Sequence, residues 1–493
     1  MKKSIYIFSI AMILSLQFSC KKEYLETKPT GSVSELSVFT NTADARKVIN
    51  GMHRFLYRQM YGRQSEGGIS GNLLYMDALG EDMVMTGQSN GWLISEYKWL
   101  SHRLVTSAMI RYNYLYFYSF ISNANMVLKF IDNATGPEIE RNEIKGQALA
   151  YRAWAYFMMV QLFGERFDKD APNDGLGMSI VLEPTTEATP RSTVAETYTQ
   201  INQDLDEAIS LLGNSNTRPS KSNINVAVAK GFKARVALTQ QNWALAAQMA
   251  SVARQGFSLM SNAAYLQGFN DIDNPEWIWG YSQQEDQTTF FYSFFAYVSA
   301  NYNSTNIRTN PKAINSLLYS KITETDVRKQ LWDSTAKNTD FPIPPSGSRR
   351  AYMNRKFRVP NTSLSIGDVP LMRAAEMYLI EAEALARAGQ DGPARDILFT
   401  LASNRDPDYI LSSNSGPALI NEILIQRRVE LWGEGFRFYD LKRTNSPLDR
   451  RGANHNVGLA SLLEVPAGDI RWQFLIPQDE INFSQGIVTQ NPL

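Results

Sequence analysis

Two stretches of this 493-residue chain share one small-residue skeleton, and that repetition restricts the possible folds more than any other feature. In LMRAAEMYLIEAEALARAG, residues 371–389, Ala374, Tyr378, Ala382 and Leu385 recur at steps of four, four and three, which puts them on one helical face. Ala375, Leu379 and Ala386 lie alongside, so the face is broad and flat, and its small side chains let a neighbouring helix approach closely. Pro370 suits a first helical turn and Gly389 a position just past the last one. Asp391 then caps a second helix striped with Ala394, Leu398 and Leu401. Residues 223–256 have the same build, with Asn242 as the second cap. Ala234, Ala246 and Ala253 match Ala382, Ala394 and Leu401, twelve and then seven residues apart in both copies.

This is the skeleton of a tetratricopeptide-like hairpin, degenerate because alanine stands where that motif usually has glycine. A hairpin of this kind cannot bury its own face, so several must stack. The expected fold is mainly α, built from stacked TPR-like hairpins. A hydrophobic content of 44% supports a large core. Lysine plus arginine equals aspartate plus glutamate at 49 each, which argues against a nucleic-acid partner and favours a neutral ligand. Three scattered histidines (His53, His102, His455) and one cysteine predict no zinc or iron site, although calcium stays open. No GxSxG elbow, P-loop or dinucleotide fingerprint is present, so neither catalysis nor a cofactor is expected.

Residues 1–19 read as a secretory signal: Lys2 and Lys3, then an apolar run too short to span a membrane. It ends at Ser19 and the lone Cys20, an arrangement that resembles a bacterial lipoprotein signal, with Cys20 the lipidated residue. Gln17 departs from the strict lipobox. Residues 20–40 form a tether and 41–256 an N-terminal helical half, its first helix capped by Asn41 or Thr42. The glycine-rich stretch 62–92 reads as loop. Long helices follow at Arg111–Asp132 and Pro137–Phe163, and Thr193 with Glu196 predicts a capping box. Residues 257–369 read as a loop-rich insertion with a strand-like Trp277–Tyr281. A C-terminal half, 370–493, contains one further helix over Leu419–Arg443 and an extended tail.

Seven ordered segments carry a family resemblance: CKKEYLETKP, YSFISNANMVLKFI, KGQALAYRAWAYFMMVQLFG, INQDLDEAISLL with the central repeat, LMRAAEMYLIEAEALARAG, ELWGEGFRFYDLKR and FLIPQDEINFSQGIVTQNPL. Together they resemble the SusD/RagB family of Bacteroidetes outer-membrane glycan-binding lipoproteins. Gln426, where that family usually has glutamate, and the terminal Asn-Pro-Leu are departures. The resemblance implies a lipid-anchored protein on the cell outer membrane, exposed at its surface. Such a protein captures oligosaccharide and passes it to a SusC-like TonB-dependent transporter, without catalysis of its own. The alternative class is a TPR-like protein–protein scaffold without direct sugar binding.

Arg427, Arg428, Glu430, Glu434, Arg437, Asp440 and Arg443 form the densest charge cluster and read as structural, with Glu434 and Arg437 bracing neighbouring helices. Glu376, Glu381 and Glu383 read as solvated or packing-braced, and tyrosines 112–118 as core or partner interface. Sugar binding calls for an exposed ring under a pyranose face, with amides or guanidinium groups reading the hydroxyls. The resemblance places such sites on an early loop and the insertion. That points to Asn90, Trp92, Asn301, Tyr302, Asn303 and Arg308, with Tyr292 behind them. Packing the insertion onto the scaffold is the rival role for Trp92. Trp277 and Trp279 read as buried, and Trp154, Trp243, Trp332 and Trp432 as core.

Overall fold

The computed structural model describes residues 39–60, 64–213, 218–283, 285 and 293–493; the signal segment, Cys20, the tether before Phe39 and Tyr292 lie outside them. Half of the helices named here begin where a short polar side chain takes one of the first free amides. Asn41 accepts from Asp44 N at 2.9 Å and opens α1, Thr42–Phe55. Next come α2 (Gly68–Leu79), α3 (Ala108–Phe130, capped by Ser107) and α4 (Glu138–Phe163). Thr193 and Glu196 exchange both capping-box bonds at the start of α5, Val194–Leu212. Asn225 caps α6 (Val226–Thr239) and Asn242 caps α7 (Trp243–Ala253). Ser304 caps the short α8, Thr305–Thr309. The scaffold closes with α9 (Ala374–Arg387), α10 (Asp391–Arg405), α11 (Gly416–Glu430) and α12 (Arg437–Arg443).

From α3 to α7 each helix packs on the next; α7 then packs on α9, and α9 on both α10 and α11. The matched alanines Ala234, Ala246, Ala253, Ala382 and Ala394 are all fully buried along these seams. Ion pairs cross them: Arg235 to Glu376 at 2.6 Å, Arg254 to Glu381 at 2.8 Å and Arg443 to Glu383 at 2.7 Å. The three glutamates are therefore packing-braced and buried, not solvated. Residues 257–369 leave the array after α7 and return at α9, so they loop out between two helices that touch. No helix among the described residues is long and apolar enough to cross a membrane.

The looped-out region supplies most of the short strands, with the first coming from the N-terminal half. Strands β1 (Met83–Met85), β2 (Trp277–Tyr281), β3 (Lys312–Ile314), β4 (Trp332–Asp333), β5 (Met353–Asn354) and β6 (Val369–Arg373) form two sheets. One runs β1-β3-β5-β4, and the other is the antiparallel pair β2-β6. Trp277 and Trp279 are buried in β2; Trp279 meets Trp154 edge-on at 5.5 Å.

Several local expectations are corrected. Residues 68–79, expected as loop, form α2. This helix is buried on nearly every side, so it carries no amphipathic period to detect. Gly71 lets it close on its neighbours, since a Cβ there would sit 2.5 Å from Ser65 O. Pro370 lies opposite Gly280 in the β2-β6 ladder instead of a helical turn. Asp391 is the first residue of α10 and accepts from Gly416 N at 3.0 Å instead of capping. The helix expected over Leu419–Arg443 breaks between α11 and α12, where Gly433 and Gly435 take φ of 79° and 80°. Trp243 is half-buried beneath the Arg387 guanidinium instead of being core.

The charge cluster at this break is structural. Arg373 donates to Glu434 (2.7 and 2.9 Å), to Glu430 (3.0 Å) and to Glu276. Arg405 joins Glu276 at 2.8 Å and Glu430 at 3.1 Å, Arg328 reaches Glu430 at 3.3 Å, and Lys356 reaches Glu434 at 2.7 Å. All are buried. Burial alone would raise the carboxyl pKa values; the surrounding guanidinium groups instead hold Glu430 far below the usual carboxylate range and depress Glu434. Asp440 pairs with Arg427 at 2.8 Å and Arg443 at 2.7 Å, and Arg437 pairs with Glu81. Gln426 accepts from Arg328, which keeps it within the same cluster.

Candidate functional site

The β1-β3 ladder pairs Met83 with Ile314 and Met85 with Lys312, so the chain leaving β1 runs beside the chain entering β3. Side chains then fasten the two together. Asn310 Oδ1 accepts from Thr86 N at 2.9 Å and Gly87 N at 3.1 Å, and Thr86 Oγ1 donates to Pro311 O at 2.7 Å. Thr309 Oγ1 donates to Ser89 Oγ at 2.7 Å. Gly87 is needed for this approach, since a Cβ there would stand 2.4 Å from Thr309 O. Ser89, Gly91 and Leu93 take left-handed φ of 47°, 84° and 65°, a tightly wound loop that presents Asn90 and Trp92.

Between the loop and α8 lies a cleft of ≈ 310 Å³. Asn90, Trp92, Asn303 and Arg308, named from the sequence, line it together with Gln64, Ser304, Thr305 and Asn306. Trp92 is half-buried, its indole 4.9 Å from the Tyr297 ring at 36°. Arg308 donates to Asn303 Oδ1 at 2.8 Å and Thr305 Oγ1 at 3.2 Å. Asn306 is buried; its amide donates to Ala296 O at 3.2 Å, while its Oδ1 has no partner among the described residues. The cleft thus combines a ring with amide, hydroxyl and guanidinium groups. That is the set needed to cover an apolar sugar face and to exchange hydrogen bonds with its rim.

Two sequence-named residues are not in the cleft. Tyr302 is fully buried: Ser304 N donates to Tyr302 O at 2.9 Å, a tight turn centred on Asn303, and Asn303 is the one of the two that reaches the surface. Asn301 is spent on Val359, accepting from its N–H at 2.9 Å and donating to its carbonyl at 3.0 Å, which ties the two segments together. Tyr292 lies outside the described residues. Gln64 and Asn306 were not named; Asn306 has a visible signal, two residues before Arg308 in a polar run, whereas Gln64 has none.

The other titratable groups are committed elsewhere. Burial pushes His53 and His102 down to about 3 and His455 to about 4, so all three are neutral. His53 bonds Tyr151 and Asn223, and His102 bonds Arg471 O, at separate places in the core. Among the described residues no group of three or more His, Cys, Asp or Glu is placed to hold a metal ion. Tyr112, Tyr114 and Tyr116 are core, Tyr112 donating to Gly68 O.

Comparison with known proteins agrees with this architecture. A SusD-like family model described as starch-binding, associating with the outer membrane, matches residues 23–238, and the SusD family model (SusD/RagB) matches residues 240–493. A SusD-like protein P38 of Formosa agariphila is 27% identical over 398 residues, 68% of this chain and 72% of its own. The crystal structure of a SusD-like carbohydrate binding protein from Bacteroides vulgatus superposes with a TM-score of 0.79 at 27% identity, covering 91% of this chain and 97% of that one. Surface glycan-binding protein A from Bacteroides thetaiotaomicron, solved in complex with laminarihexaose, has the same fold at 16% identity, with a TM-score of 0.69 over 92% of this chain and 100% of that one. With one family model covering its first half and another its second, the chain belongs to the SusD family.

Proposed function

We propose that this protein captures oligosaccharides in the Trp92 cleft. The observation that carries the reading is the meeting of Trp92, Asn90, Asn303, Asn306 and Arg308, from two distant segments, around one surface cleft. A pyranose laid on the indole hides carbon surface, and the amides around it exchange hydrogen bonds with hydroxyls in the ring plane. Family membership supports the class of ligand, as does the laminarihexaose complex of a protein with the same fold. The finer reading adds a lipid anchor at Cys20 in the outer membrane and delivery of the captured glycan to a SusC-like TonB-dependent transporter, with binding only and no hydrolysis. It draws on the lone cysteine after an apolar leader and on the network carboxylates, which are consumed by guanidinium partners.

The scaffold reading is less well supported, because the helical seams that would seat a peptide are filled by neighbouring helices. A glycan array probed with the chain lacking its first 20 residues tests the proposal. Binding to one glycan class, with no product sugars released on incubation, is the expected result. Failure to bind any glycan, or release of products, refutes it.

A further inference from the structure

We propose that the cleft selects glycans bearing a negatively charged substituent, a uronate carboxylate or a sulfate ester, and that Arg308 reads that charge. This inference rests on the glycan-binding reading of the same cleft. The sign of the lining is the starting point. Gln64, Asn90, Asn303 and Asn306 are amides, Ser304 and Thr305 hydroxyls, Trp92 an indole; among the described residues lining the cleft, Arg308 is the sole charge. Its bonded partners are the neutral oxygens of Asn303 and Thr305, and it enters no ion pair among the described residues.

That differs from the buried cluster at the α11–α12 break, where Arg328, Arg373 and Arg405 each face carboxylates. A cleft built for a neutral polyol gains most from carboxylate acceptors, which make the strongest hydrogen bonds to hydroxyl donors. Here the acceptors are amides and hydroxyls, which leave the guanidinium field uncompensated. A carboxylate or sulfate entering this cleft meets no carboxylate among the residues that line it and finds N–H groups in a planar fork suited to two parallel oxygens.

The surroundings reinforce the sign. Ser348 N donates to Arg308 O at 2.7 Å, which brings the Ser348-Arg349-Arg350 stretch alongside. The Arg349 guanidinium donates to the backbone carbonyls of Asn338 and Thr339, not to a carboxylate. Trp92, in the same cleft, supplies the platform for a ring. The net charge of zero, which favours a neutral ligand when taken over the whole chain, does not carry over to the lining of this cleft, where the one charge is positive.

The test uses the chain lacking its first 20 residues and isothermal titration with paired probes. Oligogalacturonides are compared with their carboxyl-reduced forms, and sulfated galactan oligosaccharides with their desulfated forms. The expected result is that one acidic probe binds about tenfold or more tightly than its neutral twin at low salt, with the advantage shrinking as salt rises. Arg308→Gln should erase that advantage while the weaker binding of the neutral twin persists; Arg308→Lys should retain part of it. Which acidic probe prevails distinguishes uronate from sulfate. Equal binding of both members of every pair, or an acid preference unchanged in Arg308→Gln, overturns the charge assignment and leaves glycan binding standing. Absence of binding to every probe, and to the neutral and acidic members of a full array, removes both.

Discussion

Replacing Trp92 with alanine separates binding from folding, because the two effects draw on different faces of one indole. The open face, laid against a pyranose, covers on the order of 50 Å² of carbon surface, about 1.3 kcal/mol at ~25 cal/mol per Å², hence nearly tenfold in Kd. The inner face packs on Tyr297 at 4.9 Å. Burial there of roughly 100 Å² corresponds to about 2.5 kcal/mol. Spread over an unfolding entropy of about 1 kcal/mol per kelvin for a chain of this length, that lowers Tm by 2–3 °C. Titration calorimetry with the best array ligand, run beside a thermal scan, reads both quantities. A Tm fall beyond about 10 °C would show the residue to be a structural plug. An unchanged Kd would show that no sugar rests on it.

Other outcomes follow from the same geometry. Arg373→Met takes one buried cation from Glu276, Glu430 and Glu434, which keep Arg405, Arg328 and Lys356 but are left with one positive charge too few. A cost of about 3–5 kcal/mol is expected, a Tm drop of a few degrees; an unchanged or raised Tm would mean that the arginine is dispensable. For Glu383 and Asp440, burial works against ionisation, but Arg443, with Arg387 or Arg427, holds both carboxyls down to about 2. Their folded pKa values lie below the unfolded ones, so this stabilisation is complete above about pH 4.5 and is lost as pH falls towards 2. The denaturation midpoint should hold from pH 7 to 5 and then decline; a rise on acidification would contradict the pairing. Cys20→Ser should move the protein from the membrane fraction to the soluble one, and continued membrane association would refute an acyl anchor at that residue.

The scaffold was legible because alanine at fixed helical steps has one straightforward physical use, close helix contact. The seams at Ala234, Ala246, Ala382 and Ala394 lie where that spacing predicts. Helix α2 was not legible, since a helix enclosed on all sides shows no polar face, and its glycines look like turn residues until the close approach at Gly71 is seen. Within the cleft, residue type pointed to Asn90, Trp92, Asn303 and Arg308, but which of Tyr302 and Asn303 faces outward depends on the pairing of residues 300–303 with 357–362. Partner choice in the charge cluster was equally hidden. Asp440–Arg443 is a local pair, whereas the acids of Glu430 and Glu434 are neutralised by Arg328, Arg373, Arg405 and Lys356, reached only through the tertiary fold.

Synthesis runs from the amino end, and Glu276 exists 97 residues before Arg373 and 129 before Arg405, the cations that neutralise it. Until those arrive, the emerging chain has reason to keep that carboxylate wet and β2 unpaired, because its sheet partner β6 ends in the same arginine. Closure of the molecule is therefore expected to wait for those cations and not for helix formation alone. A nascent chain stalled before residue 373 should be open, sensitive to proteases around residues 257–283 and dependent on chaperones.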